Sequence, residues 1–146
     1  MPNKKNKKIV GYTQGTFDTL HYGHVRLLKR AKEKCDYLIV GVNSDDLVKQ
    51  YKNTDTIIKQ NERLEIVSAL RYVDEAHIVD DLDKISKQKL YNFDVCFIGS
   101  DWKGSDRYKK TEDELKKIGV RMIYLPYTKK ISTTLIKEHR NKNNAD

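Results

Sequence analysis

The residues between Gly15 and His24 combine the residue types that bind phosphate groups. The segment reads Gly-Thr-Phe-Asp-Thr-Leu-His-Tyr-Gly-His, so His21 and His24 are three residues apart with Gly23 between them. A helix that begins here would direct its free backbone N–H groups and both imidazoles at one anion, and glycine lets that anion approach the backbone closely. The segment therefore predicts a site for the phosphates of a nucleoside triphosphate.

Metal binding by His21 and His24 is the main alternative. Two histidines that bind one metal from the same helix usually stand four residues apart, and the metal needs a third ligand. The chain has two other histidines, His77 and His139, and neither is placed in the sequence to supply it. Phosphate binding is therefore favoured, and an ordinary polar role at a helix end is the remaining alternative.

The framework that positions these residues is predicted by the pattern of apolar runs. Short apolar runs alternate with amphipathic segments, which is typical of βα units and a parallel sheet. We predict an α/β fold: a single Rossmann-like domain with an open, parallel, five-stranded sheet and helices on both faces, in the order βαβαβαβαβ followed by a last helix. The predicted strands are residues 9–12, 37–42, 76–79, 95–98 and 122–125. Ligands of such sheets bind at the carboxyl ends of the strands, where the strand order reverses.

Two helix starts are predicted from capping signals. Thr111 and Glu114 have the spacing of a capping box that would open a helix running to Ile118, and Gly119 is placed to end it. The last helix would begin at the serine and threonines of residues 132–134, whose hydroxyls can cap it.

Composition limits the classes of protein to consider. The 146 residues suit one domain, and no apolar run approaches the roughly 20 residues of a membrane span, so we expect a soluble, cytoplasmic protein without a signal peptide. Cys35 and Cys96 are expected to be buried free thiols. The net charge of +8 favours an anionic partner, but the lysines are spread along the chain and outnumber arginines, which disfavours nucleic acid. Residues 1–8 and 141–146 are expected to be flexible, with the domain at 9–140.

Three segments together resemble a known family. The segment from Gly15 to His24 resembles the HxGH signature of the nucleotidyltransferase superfamily, and the segments Arg-Tyr-Val-Asp-Glu at 71–75 and Ile-Ser-Thr-Thr at 131–134 resemble later motifs of its cytidylyltransferase family. The pattern is most similar to the bacterial branch that acts on glycerol 3-phosphate. The resemblance extends over residues 9–140, nearly the whole chain.

The resemblance implies an activity. It implies transfer of CMP from CTP to a phosphorylated small alcohol, either glycerol 3-phosphate or a related polyol or amino-alcohol phosphate. The products would be pyrophosphate and a CDP-linked compound for cell-surface polymer or lipid synthesis. It also implies Mg²⁺ as cofactor and a homodimer.

The resemblance also implies roles for individual residues. Asp74 is expected to hold Arg71 in place, and Lys49 competes with Lys52 for the position of the active lysine. The catalytic residues implied are His21, His24, Lys52 and Arg71. The nucleotide-binding residues implied are Thr16, Phe17, Asp18, Gly23, Asp101, Ser132, Thr133 and Thr134. The substrate-binding residues implied are Arg63, Asp74, Trp102 and Thr128.

Charge explains why such a site needs cations and N–H donors. A phosphate monoester has a second pKa near 6, so the acceptor is largely a dianion at pH 7 and attacks without a general base. Repulsion between this dianion and the triphosphate, and the charge that grows on pyrophosphate, oppose the reaction. Positive side chains, imidazoles and Mg²⁺ relieve both.

Two features leave alternatives to this activity. Residues 127–134 read Tyr-Thr-Lys-Lys-Ile-Ser-Thr-Thr, without the arginine and glycine usual in the family, so Lys129 or Lys130 would supply the charge and the acceptor stays open. The segment at 40–45 also resembles heptose-phosphate adenylyltransferases, which favours adenylyl transfer as an alternative. A nucleotide-binding module without activity is the third reading.

Overall fold

The five predicted strands form one parallel sheet. The structure is a computed structural model that describes residues 7–99 and 106–126. Its strands are β1 (Val10–Gly15), β2 (Tyr37–Asn43), β3 (Glu75–Val79), β4 (Val95–Gly99) and β5 (Arg121–Leu125). Its helices are α1 (Tyr22–Glu33), α2 (Asp45–Lys52), α3 (Gln60–Ser68), α4 (Lys84–Tyr91) and α5 (Asp106–Lys117). None of these helices has the length and apolar character needed to span a membrane.

The order of the strands in the sheet is β3-β2-β1-β4-β5, and every neighbouring pair is parallel. The chain adds β2 and β3 on one side of β1 and then crosses over to add β4 and β5 on the other side. The direction of winding therefore reverses between β1 and β4, and the carboxyl ends of these two strands define the crevice where a ligand is expected.

Two separate apolar clusters hold helices on the two faces of the sheet. On one face, Leu28 and Ala31 of α1 and Val67 of α3 pack with strand residues such as Val40. On the other face, Leu115 of α5 packs with Tyr12, and the helix α4 contributes partly buried residues. Successive strand residues alternate between the clusters, as β geometry requires. The predicted fold class is confirmed.

The connection between β2 and β3 differs from the predicted single helix. It contains two helices, α2 and α3, because Asn53 takes a left-handed conformation (φ 52°) that ends α2. The capping box predicted at Thr111 is also wrong. Helix α5 already begins at Asp106, and Tyr108, seven residues before Leu115, packs on the same cluster and extends the apolar face. Gly119, at φ 80°, follows the helix end as predicted.

Both cysteines are free thiols. Cys96 is buried, and burial raises its pKa to about 11, whereas Cys35 is only partly buried. The predicted last helix, which would begin at residues 132–134, lies outside the described residues.

Candidate active site

A cavity of about 540 Å³ opens at the carboxyl ends of the strands, within the usual range for small-molecule sites. One wall comes from the face of the sheet that carries α1 and includes Phe17 and His24. The other wall comes from the face that carries α4 and α5 and includes Lys84 and Arg107. The cavity therefore lies over the carboxyl ends of the strands, where ligand binding is expected because the winding direction reverses between β1 and β4.

The loop between β1 and α1 is held in an unusual backbone conformation. Phe17 and Thr19 both have positive φ angles, 55° and 49°, which non-glycine residues seldom adopt. Such a conformation persists only where surrounding contacts impose it. Here the buried Asp18 accepts hydrogen bonds from the backbone N–H groups of Ile57 (2.8 Å) and Ile58 (2.9 Å). Asp18 thus ties the loop to the segment after α2, and both line the cavity.

The two histidines form a stacked pair at the start of α1. His21 is the N-cap residue, and its Nδ1 accepts a hydrogen bond from the backbone N–H of Gly23 at 3.0 Å. His24 Nδ1 accepts one from the backbone N–H of His21 at 3.2 Å, and the ring centroids are 3.9 Å apart. Because both Nδ1 atoms accept, each neutral imidazole carries its proton on Nε2.

The protonation state of the pair follows from its surroundings. Burial, together with the neighbouring His21, lowers the pKa of His24 to about 4. Burial also lowers the pKa of His21. Both rings are therefore neutral near pH 7. His21 Nε2 is buried without a hydrogen-bond partner among the described residues, and such a donor is costly unless a ligand satisfies it.

The structure distinguishes the two candidate lysines of α2. Lys52 lines the cavity, and Lys49 is not among the lining residues that the structure describes. The adjacent Tyr51 hydroxyl lies 2.9 Å from the hydroxyl of Thr16, a predicted nucleotide-binding residue. Tyr51 also accepts a hydrogen bond from Asn43 at 3.2 Å. Lys52 is exposed and lines the cavity, so it lies at the mouth of the site.

The position of Arg63 corrects its predicted contact with the substrate phosphate. The side chain is completely buried, and its guanidinium donates to the carbonyls of Ile58 (2.8 Å), Thr16 (2.7 Å) and Asn43 (2.7 Å) and to the carboxylate of Asp45 (2.7 Å). The guanidinium joins the loop after β1, the end of β2 and the segment before α3. It stabilises the segments that line the cavity instead of facing a ligand.

The contact predicted between Arg71 and Asp74 is also corrected. Asp74 accepts hydrogen bonds from Lys32 Nζ and from the backbone N–H of Leu38 (2.8 Å), whereas Arg71 donates to the Tyr72 hydroxyl at 3.0 Å. Both residues precede β3 and so lie at the amino edge of the sheet. Within one chain they lie at the amino ends of the strands, whereas the cavity lies at the carboxyl ends.

The other predicted site residues divide into two groups. Thr16, Phe17 and Asp18 line the cavity with His24 and Lys52, and Gly23 is buried in the first turn of α1. The remaining predictions, Asp101, Trp102, Thr128, Ser132, Thr133 and Thr134, lie outside the described residues.

Several cavity residues were missed from the sequence. Gln14 is the penultimate residue of β1 and Asn43 is the last residue of the neighbouring β2, and their position near strand ends is a signal that could have revealed them. Lys84 and Arg107 carry no such signal, because they are two among 29 lysines and arginines. A hydrogen bond of 2.9 Å from Gln14 Nε2 to Asn43 Oδ1 joins the two strand ends.

Comparisons with known proteins agree with this architecture. The cytidylyltransferase-like family model matches residues 12–139. The chain is 40% identical over 134 residues to the glycerol-3-phosphate cytidylyltransferase of Bacillus subtilis strain 168, covering 90% of this chain and 95% of that protein. It is 37% identical over 130 residues to an FAD synthase of Thermococcus kodakarensis, covering 85% and 84%.

A solved structure supports the fold alone. The lipopolysaccharide core biosynthesis protein from Thermoplasma volcanium superposes with a TM-score of 0.70 at 24% identity, covering 84% of this chain and 98% of that one.

Proposed function

The chain belongs to the cytidylyltransferase-like family, and we propose that it transfers CMP from CTP to the phosphate of a small phosphorylated alcohol, with glycerol 3-phosphate as the first candidate. The products are pyrophosphate and a CDP-linked alcohol, a precursor for cell-surface polymer or lipid synthesis. The proposed location is the cytoplasm. The similarity to the Bacillus subtilis enzyme along nearly the full length of both chains supports this choice of substrates.

The observation that carries the proposal is the pair of neutral imidazoles at the start of α1. Their Nδ1 atoms are occupied by backbone N–H groups, which leaves the two Nε2–H groups as fixed donors. Fixed donors stabilise charge that develops on a leaving group without having to reorganise during the reaction. The start of a helix also favours an anion through the helix dipole. His21 and His24 are therefore proposed to bind the triphosphate and stabilise departing pyrophosphate.

The acceptor needs positioning and charge compensation more than it needs a base. Its phosphate is already largely a dianion at pH 7, so an oxygen of that phosphate attacks the α-phosphorus of CTP, a new P–O bond forms, and the bond to pyrophosphate breaks. Lys52, at the mouth of the cavity, is placed to offset the repulsion between the two anions.

Mg²⁺ is proposed to enter with the nucleotide. The described residues contain no group of three or more His, Cys, Asp or Glu side chains that could hold a metal ion. Mg²⁺ commonly keeps several waters and binds through substrate phosphates with one or two carboxylates, so it does not need a protein cage. When bound, it would neutralise phosphate charge.

A homodimer is proposed from the family resemblance and from the position of Arg71. Because Arg71 lies at the amino edge of its own sheet, a catalytic role for it requires a second chain. Sedimentation velocity measures the assembly directly. A dimer is expected, and a monomer at assay concentrations would remove Arg71 from the mechanism.

Adenylyl transfer is the second candidate, favoured by the similarity to an FAD synthase, whose product contains an adenylyl group. One assay separates the two functions. The protein is incubated with Mg²⁺, each of the four nucleoside triphosphates and a panel of phosphorylated alcohols, and pyrophosphate is measured. Release with CTP and glycerol 3-phosphate is expected. Release with ATP alone favours adenylyl transfer, and no release with any pair supports an inactive binding module.

A further inference from the structure

The hydroxyls of Tyr51 and Thr16, together called the hydroxyl pair, meet in the wall of the cavity. Tyr51 lies in the last turn of α2, and both residues line the cavity with Asn43. The two hydroxyl oxygens are 2.9 Å apart. Asn43 Nδ2 donates to both of them, at 3.2 Å to Tyr51 and 3.3 Å to Thr16. Thr16 is a predicted nucleotide-binding residue, whereas Tyr51 is not among the predicted site residues.

The orientation of the Asn43 amide is fixed by its neighbour Gln14. Gln14 Nε2 donates to the backbone carbonyl of Asp81 at 2.9 Å, and a carbonyl oxygen can only accept. The second N–H of Nε2 donates to Asn43 Oδ1, also at 2.9 Å. Because Oδ1 takes that bond, the NH2 group of the buried Asn43 faces the hydroxyl pair. Both hydroxyl oxygens therefore act as acceptors toward Asn43.

One O–H group of the hydroxyl pair has no acceptor within the described part of the chain. Each hydroxyl oxygen already accepts an N–H from Asn43, so neither O–H can donate to that group. The pair has two O–H donors, and the single contact between the oxygens uses one of them, in either direction. The second O–H is left for a ligand, and either residue can present it.

The surroundings of this unused O–H favour an acceptor that carries negative charge. Lys52 follows Tyr51 in α2, and its ammonium lies 5.6 Å from the centroid of the Tyr51 ring. The neighbouring Asn43 presents N–H groups to the pair, while its oxygen is occupied by Gln14. A phosphate oxygen accepts without donating, so it suits this cluster of donors better than a ribose hydroxyl, which adds another donor. Thr16 also belongs to the loop that leads to the two histidines.

We propose that Tyr51 is a further substrate-binding residue, and that its hydroxyl and that of Thr16 together supply one O–H donor to a phosphate oxygen of the nucleoside triphosphate. The inference rests on the proposed function, because it concerns the nucleotide of the same cavity. Removing one hydroxyl leaves one donor for the ligand, and removing both leaves none. The effects of the two single substitutions should therefore be far from additive.

Calorimetric titration with CTP and Mg²⁺ tests the shared donor in a double-mutant cycle. Tyr51→Phe keeps the aromatic ring beside Lys52, and Thr16→Val keeps the shape of threonine. Each single variant retains one O–H group, so its Kd for CTP should stay within about threefold of wild type. The variant with both substitutions loses a hydrogen bond to a charged group, so its Kd should rise on the order of 10- to 100-fold.

A second double variant separates the hydroxyl from packing. Thr16→Ser combined with Tyr51→Phe retains one hydroxyl, so its Kd for CTP should stay within about threefold of the single variants. If it binds as weakly as Thr16→Val combined with Tyr51→Phe, the loss comes from disturbed packing and the inference is overturned. Thermal unfolding without nucleotide verifies that each variant is folded at the titration temperature. If the valine double variant is not folded, Thr16→Ala takes the place of Thr16→Val in the cycle.

Tyr37→Phe is the matched control for Tyr51→Phe. Tyr37 is 36% exposed, close to the 41% of Tyr51, but it begins β2 at the amino end of the strand, away from the cavity. Its Kd for CTP should equal that of wild type.

Two results of the cycle would overturn the inference. A loss in Thr16→Val alone that equals the loss in the double variant would mean that Tyr51 takes no part in binding. Additive losses would mean that the two hydroxyls act as separate donors and do not share one.

Kinetics identify which substrate the pair binds. In the pyrophosphate assay, the valine double variant should have a raised KM for CTP, whereas KM for glycerol 3-phosphate should stay within about threefold. A rise confined to KM for glycerol 3-phosphate would place the pair on the acceptor and overturn the inference.

Binding without turnover separates failure of the inference from failure of the proposed function. If wild type releases no pyrophosphate with any pair of substrates, the proposed function fails. Titration with CTP and with ATP then decides the inference. Binding that is weakened only when both hydroxyls are removed supports it, and absence of binding of either triphosphate to wild type contradicts it.

Discussion

The sheet uses polar residues in opposite ways at the two ends of its strands, called here the amino edge and the carboxyl edge. At the amino edge, Asp36, Asp74 and Asp94 each accept a hydrogen bond from a backbone N–H at or next to the start of a neighbouring strand. The distances are 2.7, 2.8 and 2.9 Å. These carboxylates satisfy groups that a parallel sheet leaves unpaired at its end. They serve the fold.

At the carboxyl edge, polar groups keep unused capacity. The buried Nε2 of His21 has no partner among the described residues, and the buried ammonium of Lys84 makes two long contacts. Burial makes such groups costly in the free protein and effective toward a ligand that satisfies them. Residue type alone therefore does not identify a site, because a satisfied aspartate stabilises the fold, whereas an unsatisfied buried donor has capacity for a ligand.

The largest loss of stability is expected at Arg63, whose buried guanidinium supports the carboxyl edge. Arg63→Met removes a buried cation that binds three carbonyls and Asp45, so the free energy of unfolding should fall by about 3–5 kcal/mol in urea titrations. Arg121→Met, at an exposed position, is the control and should change stability by less than about 0.5 kcal/mol. A stable Arg63→Met protein with only a raised KM would restore the direct substrate contact.

His21→Asn should separate the cap of α1 from its chemistry. The asparagine Oδ1 occupies the position of Nδ1 and can cap the helix, so the Tm should be kept. The Nε2–H donor is lost, and kcat should fall on the order of 100-fold or more. Steady-state pyrophosphate release measures it. A fall in the Tm of the variant together with the fall in kcat would mean that His21 acts mainly as a cap.

Asp94→Ala should show the opposite pattern at the amino edge. It leaves the backbone N–H of Val10 without its acceptor, so the protein should lose about 1–3 kcal/mol of stability. Turnover of the folded protein should stay near wild type, because Asp94 is far from the cavity along β4. A tenfold fall in kcat with unchanged stability would contradict the claim that the amino-edge carboxylates serve the fold alone.

The lowered pKa of His24 predicts a small pH effect on stability. The unfolded chain takes up the proton near pH 6.5, but the folded chain resists protonation until about pH 4. Stability from this histidine is therefore complete above pH 6.5 and is lost as pH falls toward 4. Relative to His24→Asn, wild type should lose about 1 kcal/mol between pH 6.5 and 5.5. Parallel pH curves for the two proteins would contradict the buried, neutral state.

Local patterns in the sequence predicted the strands, because each is a short apolar run with its own burial. They also predicted that the segment from Gly15 to His24, whose glycine and histidines are close in sequence, contributes to the site, and residues of this segment line the cavity. Arg63 was misread because its partners Thr16, Asn43 and Ile58 meet only after the sheet has formed. Lys84 was missed as a cavity residue because only its burial beside Gln14 distinguishes it from the many other lysines, and no local sequence pattern predicts that burial.

Pyrophosphate release by His24→Asn and wild type, with CTP, Mg²⁺ and glycerol 3-phosphate at pH 7, tests the central claim most directly. Asparagine Oδ1 can still accept the hydrogen bond from the backbone N–H of His21, so the fold and Tm should be preserved while the Nε2–H donor is absent. A kcat on the order of 100-fold or more below wild type is predicted. Turnover equal to wild type would show that the imidazole pair does not carry the reaction.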